Sequence, residues 1–298
     1  MRVLRPIFVF LLSCASCSYS GATGPSPRES LNDLQTHLAE VPALQGWELA
    51  ASDGVDDTQF GYAVAISGGA VVVAKNCSNQ NPRCTADHVY VFEEPTSGWS
   101  NMVQTAELNP SDGHAGDLFG TSVAVSGDTV VVGAQNGKAY IFVKPASGWT
   151  NMTETAQLTD GVAEGYGCVV AIDNQTIVIG EPTATINGNQ NQGAAFVFVE
   201  PVTGWVTTST FAAELTASNG TFLDFFGSSA TVSGNTIVVG APFYQDQAGP
   251  GAAYVFVEPE TGWSNMTQTA ELTRADRGQY DEFGLAVAID RNVIVVGA

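Results

Sequence analysis

An aromatic–Gly pair recurs five times along this chain, at Phe60-Gly61, Phe119-Gly120, Tyr166-Gly167, Phe226-Gly227 and Phe283-Gly284. Fourteen residues after each aromatic stands the first residue of a small pair: Ala74, Gly133, Gly180, Gly240 and Gly297. A distance kept in every copy means that one supersecondary unit was duplicated and stacked, since a unit of this size cannot bury its apolar face alone. Function is then expected where the copies differ.

The second copy, Asp117 to Leu158, shows the unit. In "FGTSVAVSG", Val123 and Val125 alternate with smaller residues, as in a half-buried strand. Ser126-Gly127-Asp128 is turn chemistry, and Val130-Val131-Val132 is the β-branched run of a strand covered on both faces. "AYIFV" reads as a third strand. Pro145 and Gly148 punctuate a turn before Trp149, and "TNMTETAQL" reads as a polar outer strand. From the last aromatic of each third strand to the Trp is seven residues in four copies, Phe92 to Trp99, Phe142 to Trp149, Phe198 to Trp205 and Phe256 to Trp263. Four short antiparallel strands in tandem, with no helical pattern between them, predict an all-β chain, a β-propeller of four-stranded blades. Repeats start near residues 57, 117, 164, 224 and 281. At the front, "ELAASDG" matches the end of a unit and reads as a fourth strand without its first three. At the back, copy five supplies two strands. The expectation is a C-terminally incomplete propeller with about two further units beyond it, and a gapped five-blade ring is the alternative.

At these residues the chain resembles the FG-GAP repeat family, whose name comes from its Phe-Gly and Gly-Ala-Pro motifs. The resemblance runs from about Trp47 to Ala298. "FG" is intact at Phe60, Phe119, Phe226 and Phe283. "GAP" is complete at Gly240-Ala241-Pro242 and partial at Gly133-Ala134-Gln135 and Gly180-Glu181-Pro182. The family includes the integrin α-subunit head, and the resemblance implies extracellular adhesion or ligand binding, often with Ca²⁺. Many members hold that ion in an Asp-x-Asp/Asn-x-Asp-Gly run between the first two strands. Here the connection is "SGGA", "SGDT", "DNQT", "SGNT" or "DRNV", with at most one carboxylate, whereas Ca²⁺ takes 6–8 oxygens. The family calcium loop is therefore not carried over. The "TGW" turns are also similar to a quinoprotein-type propeller repeat, which leaves the aromatic–Gly marker unexplained.

Residues 1–20 read as a secretory signal, with basic Arg2 and Arg5, an apolar core Ile7 to Leu12, and small residues at Ser13, Ala15 and Ser16. That core is too short to span a membrane. Leu11 to Cys14 also fits a lipobox, which would place a lipid anchor on Cys14. Residues 21–46 form a linker in which Ser26 to Leu38 predicts a short packing helix or, alternatively, a partner-binding one. The net charge of −20 argues against nucleic acid and anionic membrane surfaces, which need basic patches. In a secreted chain Cys77 and Cys84, flanking one loop, are expected to form a disulfide, and Cys168 to pack as a small apolar residue. Asn76, Asn151, Asn174, Asn219 and Asn265 begin Asn-x-Ser/Thr sequons, candidates for glycosylation in a eukaryotic secretory host.

In such blades the first-to-second and third-to-fourth turns share one face, and they are short and uniform. The second-to-third loops share the other face with the crossovers between blades. Those loops vary: 75–88 holds the cysteines, 135–138 is short, 181–194 is rich in Asn and Gln, and 242–252 holds Phe243, Tyr244 and Asp246. Insertions gathered on one face point to a binding face. The crossovers are acidic, and a carboxylate recurs at or beside two residues before each marker aromatic: Asp57, Asp117, Glu164, Asp224 and Asp281. Such an acid can cap a turn through backbone N–H groups. The sharper reading is a ring that gathers cations, with Asp112, Asp117, Asp224, Asp276 and Asp281 as metal candidates and Ca²⁺ as the ion. Asn187 to Gly193 has the beat of a calcium loop but neutral amide ligands, so it reads as a polar surface loop.

His37, His88 and His114 lie in separate segments, none inside a nucleophile or metal motif, so no catalytic residue is assigned. The expected function is a secreted or surface-displayed, non-catalytic interaction module for a protein or glycan partner. The alternatives are an accessory domain of a larger secreted enzyme and an architectural surface-coat repeat.

Overall fold

The computed structural model describes residues 7–12, 44–53, 59–76, 87–114, 116–159, 169–243, 249–275, 278 and 281–298. They form only strands, turns and loops. Blade 1 comprises Gln59–Ser67, Ala70–Asn76, His88–Glu93 and Ala106–Asn109, and blade 2 Ser122–Ser126, Thr129–Gly133, Lys138–Val143 and Ala156–Thr159. Blade 3 comprises Val169–Asp173, Thr176–Glu181, Ala194–Val199 and Ala213–Thr216, and blade 4 Ser229–Ser233, Thr236–Ala241, Ala252–Val257 and Ala270–Leu272. Blade 5 contributes the hairpin Val287–Asp290 and Val293–Val296. Within each blade, consecutive strands pair antiparallel in sequence order, the up-and-down meander of a propeller blade.

The core lies between blades, as the repeat requires. Val72, Ala74, Val89 and Val91 of blade 1 pack with Phe119, Val123, Val125 and Tyr140 of blade 2. Val131, Ala139 and Ile141 of blade 2 meet Val170, Ile177 and Phe196 of blade 3. The next two seams repeat the arrangement, with Val178 and Val197 against Phe226 and Val232, and Val238 and Val255 against Val287 and Ile289. The marker residues Phe60, Phe119 and Phe226 each stand on the aromatics of their own third strand. Phe119 meets Tyr140 edge-on at 5.3 Å and Phe142 at 6.2 Å, and Phe226 lies tilted on Tyr254 at 5.5 Å and edge-on to Phe256 at 5.9 Å. Burying one such ring contributes about 1.5–3 kcal/mol. In blade 1 the positions matching Val123 and Val125, namely Val64 and Ile66, are 54% and 63% exposed, whereas Val123 and Val125 are buried.

The fourteen-residue rule has a structural cause. The N–H of the marker glycine donates to the carbonyl at the start of the small pair: Gly120 to Gly133 (3.0 Å), Gly227 to Gly240 (3.0 Å) and Gly284 to Gly297 (2.8 Å). An insertion between the two would break that closure. The same glycines let neighbouring blades touch by backbone. A Cβ on Gly180 would lie 2.2 Å from the Gly227 carbonyl oxygen, and one on Gly240 would lie 1.9 Å from that of Gly284. Gly227 and Gly284 also take φ of +99°, which disfavours any side chain.

The outer strand differs from the sequence reading. "TNMTETAQL" is not one strand but two pieces serving two blades. Ala156–Thr159 closes blade 2, whereas Met152–Thr153 runs parallel to the outer strand of blade 1, with Met152 opposite Leu108. Met102 opposite Leu49 and Met266 opposite Leu215 repeat this register. Each two-residue strand covers an otherwise open sheet edge, which would expose unpaired N–H groups. The flanking side chains complete a staple. Asn101, Asn151 and Asn265 accept the N–H of Glu48, Glu107 and Glu214 through Oδ1 at 2.9–3.0 Å. Gln104, Glu154 and Gln268 take the backbone N–H and bond the hydroxyl of Ser52, Ser111 and Ser218. Thr105, Thr155 and Thr269 accept an N–H from their own third strand. At the opposite face, Ser67, Ser126, Asp173 and Ser233 each accept an N–H from the next blade's first turn.

Leu44–Ala50 occupies the outer-strand place expected for "ELAASDG", with Met102–Val103 along one edge. Ile7–Leu12, the apolar core of the expected signal, runs parallel along the other. The predicted helix at 26–38 and the cysteine pair 77 and 84 lie outside the described residues. So do Cys168, His37, Asp57, Glu164 and Asp276.

Candidate functional site

The connections that differ between copies gather at one end of the blades, and their floor is polar. In blade 1, Lys75 at the end of the second strand is 3% exposed and ion-paired to Asp53 in the incoming crossover. The Tyr90 hydroxyl donates to the same carboxylate at 3.1 Å. His88 Nδ1 lies 2.8 Å from both Glu107 Oε1 and Asn109 Oδ1. Blade 2 builds the same arrangement from other positions: Lys138, at the start of the third strand, pairs with Asp112, to which the Tyr140 hydroxyl donates at 3.1 Å. Burial acts to raise the pKa of Asp53 and Asp112. The lysine and tyrosine hydrogen bonds and the lysine charge outweigh it, so both carboxyls sit below their ordinary range. Burial, then the neighbouring aspartate, pushes both tyrosines above theirs. These acids stay charged and the phenols protonated at neutral pH, which suits a fixed floor rather than proton transfer.

Three of the recurring carboxylates before the marker are in view, and all serve turns. Asp117 accepts the N–H of His114 at 2.8 Å, Asp224 that of Thr221 at 2.6 Å and Asp281 that of Gly278 at 2.7 Å, each three residues back. The residue after the acid, Leu118, Phe225 or Glu282, is left-handed with φ of 49–53°. The capped turn holds that unfavourable backbone in place. Arg274 lies 3.5 Å from Asp281. Of the metal candidates, Asp112 and Asp117 share the crossover into blade 2, whereas Asp224 and Asp281 lie in the crossovers into blades 4 and 5, and each is engaged by partners of its own. Among the described residues no group of three His, Cys, Asp or Glu side chains is arranged to hold a metal ion.

Among the described residues, loop 181–194 is the long variable connection seen whole. Asn187 and Asn191 are left-handed, and an Ile186–Asn189 bridge closes its tip. Its returning limb pairs with the next crossover: Leu223, Phe225 and Phe226 donate to the carbonyls of Gln190, Asn191 and Gln192. Asn189 donates to buried Gln192, and Thr183 bonds Glu181. The repeat comparison missed this locking because the partner lies one blade away. The Asn187–Gly193 segment is accordingly a folded loop with its backbone turned to the neighbouring blade.

Four of the sequon asparagines fall into two kinds. Asn151 and Asn265 are exposed staple residues that use Oδ1. Asn174 and Asn219 already donate from Nδ2, to Asp173 and Glu271.

The family profile described as the FG-GAP repeat matches residues 45–92, 102–143, 153–198, 210–256 and 266–298, most of the chain. No curated protein matches. Among solved structures, the computationally designed Ika4 protein is similar at 17% identity over 64% of this chain and 90% of that one, with a TM-score of 0.36. A chain in the Mitotic Checkpoint Complex is similar at 15% identity over 83% and 61%, with a TM-score of 0.49. The designed Ika8 protein is similar at 17% identity over 84% and 70%, with a TM-score of 0.43.

Proposed function

This chain belongs to the FG-GAP repeat family, and from that premise we propose that it is an extracellular or cell-surface interaction module. In this reading it is non-catalytic and binds a protein or glycan through the face carrying the variable loops. One observation carries the reading. The first-to-second turns are alike in every blade, whereas the second-to-third connections range from the short 135–137 turn to the long 181–193 loop. Stability alone does not ask for that difference, because blade 2 closes with the short form. The crossover pairing holds loop 181–194 through the carbonyls of Gln190, Asn191 and Gln192, away from its tip at Ile186 to Asn189, as a preformed recognition surface requires. The signal-like start and the net charge of −20 support display outside the cell. Staple residues Asn151 and Asn265, with exposed side chains, are the sequons best placed for a glycan.

The test exchanges loop 182–192 for the short connection of blade 2 and compares both proteins on glycan arrays and intact cell surfaces. The reading expects a saturable signal from the parent, lost in the exchange variant while its thermal midpoint is kept. A signal equal in both proteins, or none from either, contradicts it.

A further inference from the structure

Apart from the loop face, the seam between blades 2 and 3 holds a cavity with aromatic walls. A pocket of about 320 Å³ opens on the outer edge between blades 2 and 3, lined by Leu158, Phe198, Trp205, Thr208 and Phe211. That volume is at the lower end for ligand sites, about 300–1,000 Å³. Its origin is legible by comparison with the other seams. There a leucine of the preceding outer strand faces a methionine at one register, Leu49 with Met102, Leu108 with Met152 and Leu215 with Met266. Each methionine packs in the cluster that holds this leucine and the blade's tryptophan, Trp99, Trp149 or Trp263. Between blades 2 and 3 the bridge is kept, Leu158 with Thr208, but the methionine is gone. Trp205 and Leu158 remain buried as in the sister seams. The link from Trp205 to Ala213 is one residue longer than its counterpart in blade 2, and it brings Phe211 against Phe196 at 4.9 Å and Phe198 at 6.5 Å. The slot thus keeps its floor and gains an aromatic wall. Val199 and Val206 stand at its mouth, 44% and 49% exposed.

We infer that this slot binds one unbranched apolar side chain, methionine in its natural form, presented by a segment of a partner protein. The chemistry is argued from the sister seams, where the chain's own methionine lies on the same leucine–tryptophan pair. A thioether is flexible enough to fill an irregular slot, and its sulfur makes favourable contacts with aromatic rings, here Phe198, Trp205 and Phe211. The Trp205 Nε1–H is buried without an acceptor, as is that of Trp263. Thr208 already pairs with the blade 2 edge, its N–H donating to the Gln157 carbonyl and its carbonyl accepting from Thr159. The partner therefore brings a side chain and not a strand. This inference does not depend on the loop face, and its test leaves that face intact.

The experiment follows indole N–H resonances of the whole chain by NMR during titration with N-acetyl-methionine amide. The Trp205 signal is identified by its loss in Trp205→Phe. The expected result is a saturable shift of that signal, absent with N-acetyl-alanine amide and abolished in Thr208→Met, which fills the slot from within. The same variant should raise the thermal midpoint by about 2–4 °C. A hexapeptide of the Ser264–Thr269 sequence should bind more tightly than the amide, by about fourfold for each further methylene it buries. No saturable shift, a shift that survives Thr208→Met, or an unchanged or lowered midpoint overturns the inference. Equal affinity for amide and peptide overturns the protein-segment partner and leaves a small-molecule slot in its place.

Discussion

The seam between blades 1 and 2 and the seam between blades 2 and 3 share a backbone register and differ in what fills it. In the first, Asn151 accepts the Glu107 N–H, Met152 lies opposite Leu108, and Glu154 holds Ser111. In the second, Thr207 accepts the Gln157 N–H at 3.1 Å, Thr208 lies opposite Leu158, and Phe211 packs beside the slot that the methionine fills in the first. The two teach that the seam is set by backbone contact and by one side-chain acceptor for the edge N–H. The apolar filler is then free to change, and where it shrinks the scaffold leaves a pocket instead of collapsing.

The largest effect should come from the backbone contact itself. Gly240→Ala puts a Cβ 1.9 Å from the Gly284 carbonyl oxygen, and we expect a loss of about 3 kcal/mol or more in chemical denaturation. Blade 1 carries alanine at this place by nature, Ala74, so Ala74→Gly should be mild. Equal costs for the two would break the claim that seams rest on glycine contact. Met152→Thr next converts the first seam into the second. A half-buried methionine truncated to threonine should cost about 1–2 kcal/mol and open space against Leu108. A neutral result would mean that the filler matters in neither seam. Asn151→Ala and Thr207→Ala each remove one acceptor from an exposed edge and should cost about 0.5–1.5 kcal/mol apiece, additively because the seams are separate.

The smallest effect appears in acid. Asp53 and Asp112 have folded pKa values below the ordinary 3.8, and Glu154, pulled down by its Ser111 and Gln157 hydrogen bonds against the effect of burial, lies below 4.5. A depressed carboxyl pKa stabilises the fold above its unfolded value, and that contribution is lost as pH falls through the folded one. Midpoints should therefore be flat from pH 7 to about 5 and fall below about 4. In Glu154→Gln, matching the Gln104 and Gln268 of the sister staples, the decline should be shallower; an identical decline would remove Glu154 from the account.

The repeated parts were legible in the sequence wherever the signal was local. The alternation in "SVAVS", the fourteen-residue closure and the acid two residues before the marker all act within one copy, so comparing copies exposed them. What escaped was carried by partners more distant in the chain, from Lys75–Asp53, 22 residues apart, to Met152–Leu108 on the neighbouring blade. "TNMTETAQL" looks like one strand because nothing in it marks the point where Met152–Thr153 leaves for the neighbouring blade. The Asp–Lys–Tyr floor escaped because its lysine comes from the second strand in blade 1 and the third in blade 2, so the aspartate and tyrosine repeat in alignment but the cation that joins them does not. The crossover pairing of loop 181–194 was hidden because backbone carbonyls, not side chains, make it.

The central claim is that the outer edges of Leu44–Ala50 and of blades 1, 2 and 3 are each closed by one acceptor supplied by the next blade. Residue-resolved amide hydrogen exchange tests it most directly, at the N–H groups of Glu48, Glu107, Gln157 and Glu214 in the parent, Asn151→Ala and Thr207→Ala. The account predicts that Asn151→Ala speeds exchange at Glu107 alone among the four, and Thr207→Ala at Gln157 alone. Equal acceleration at all four sites, or none at the matched site, would contradict it.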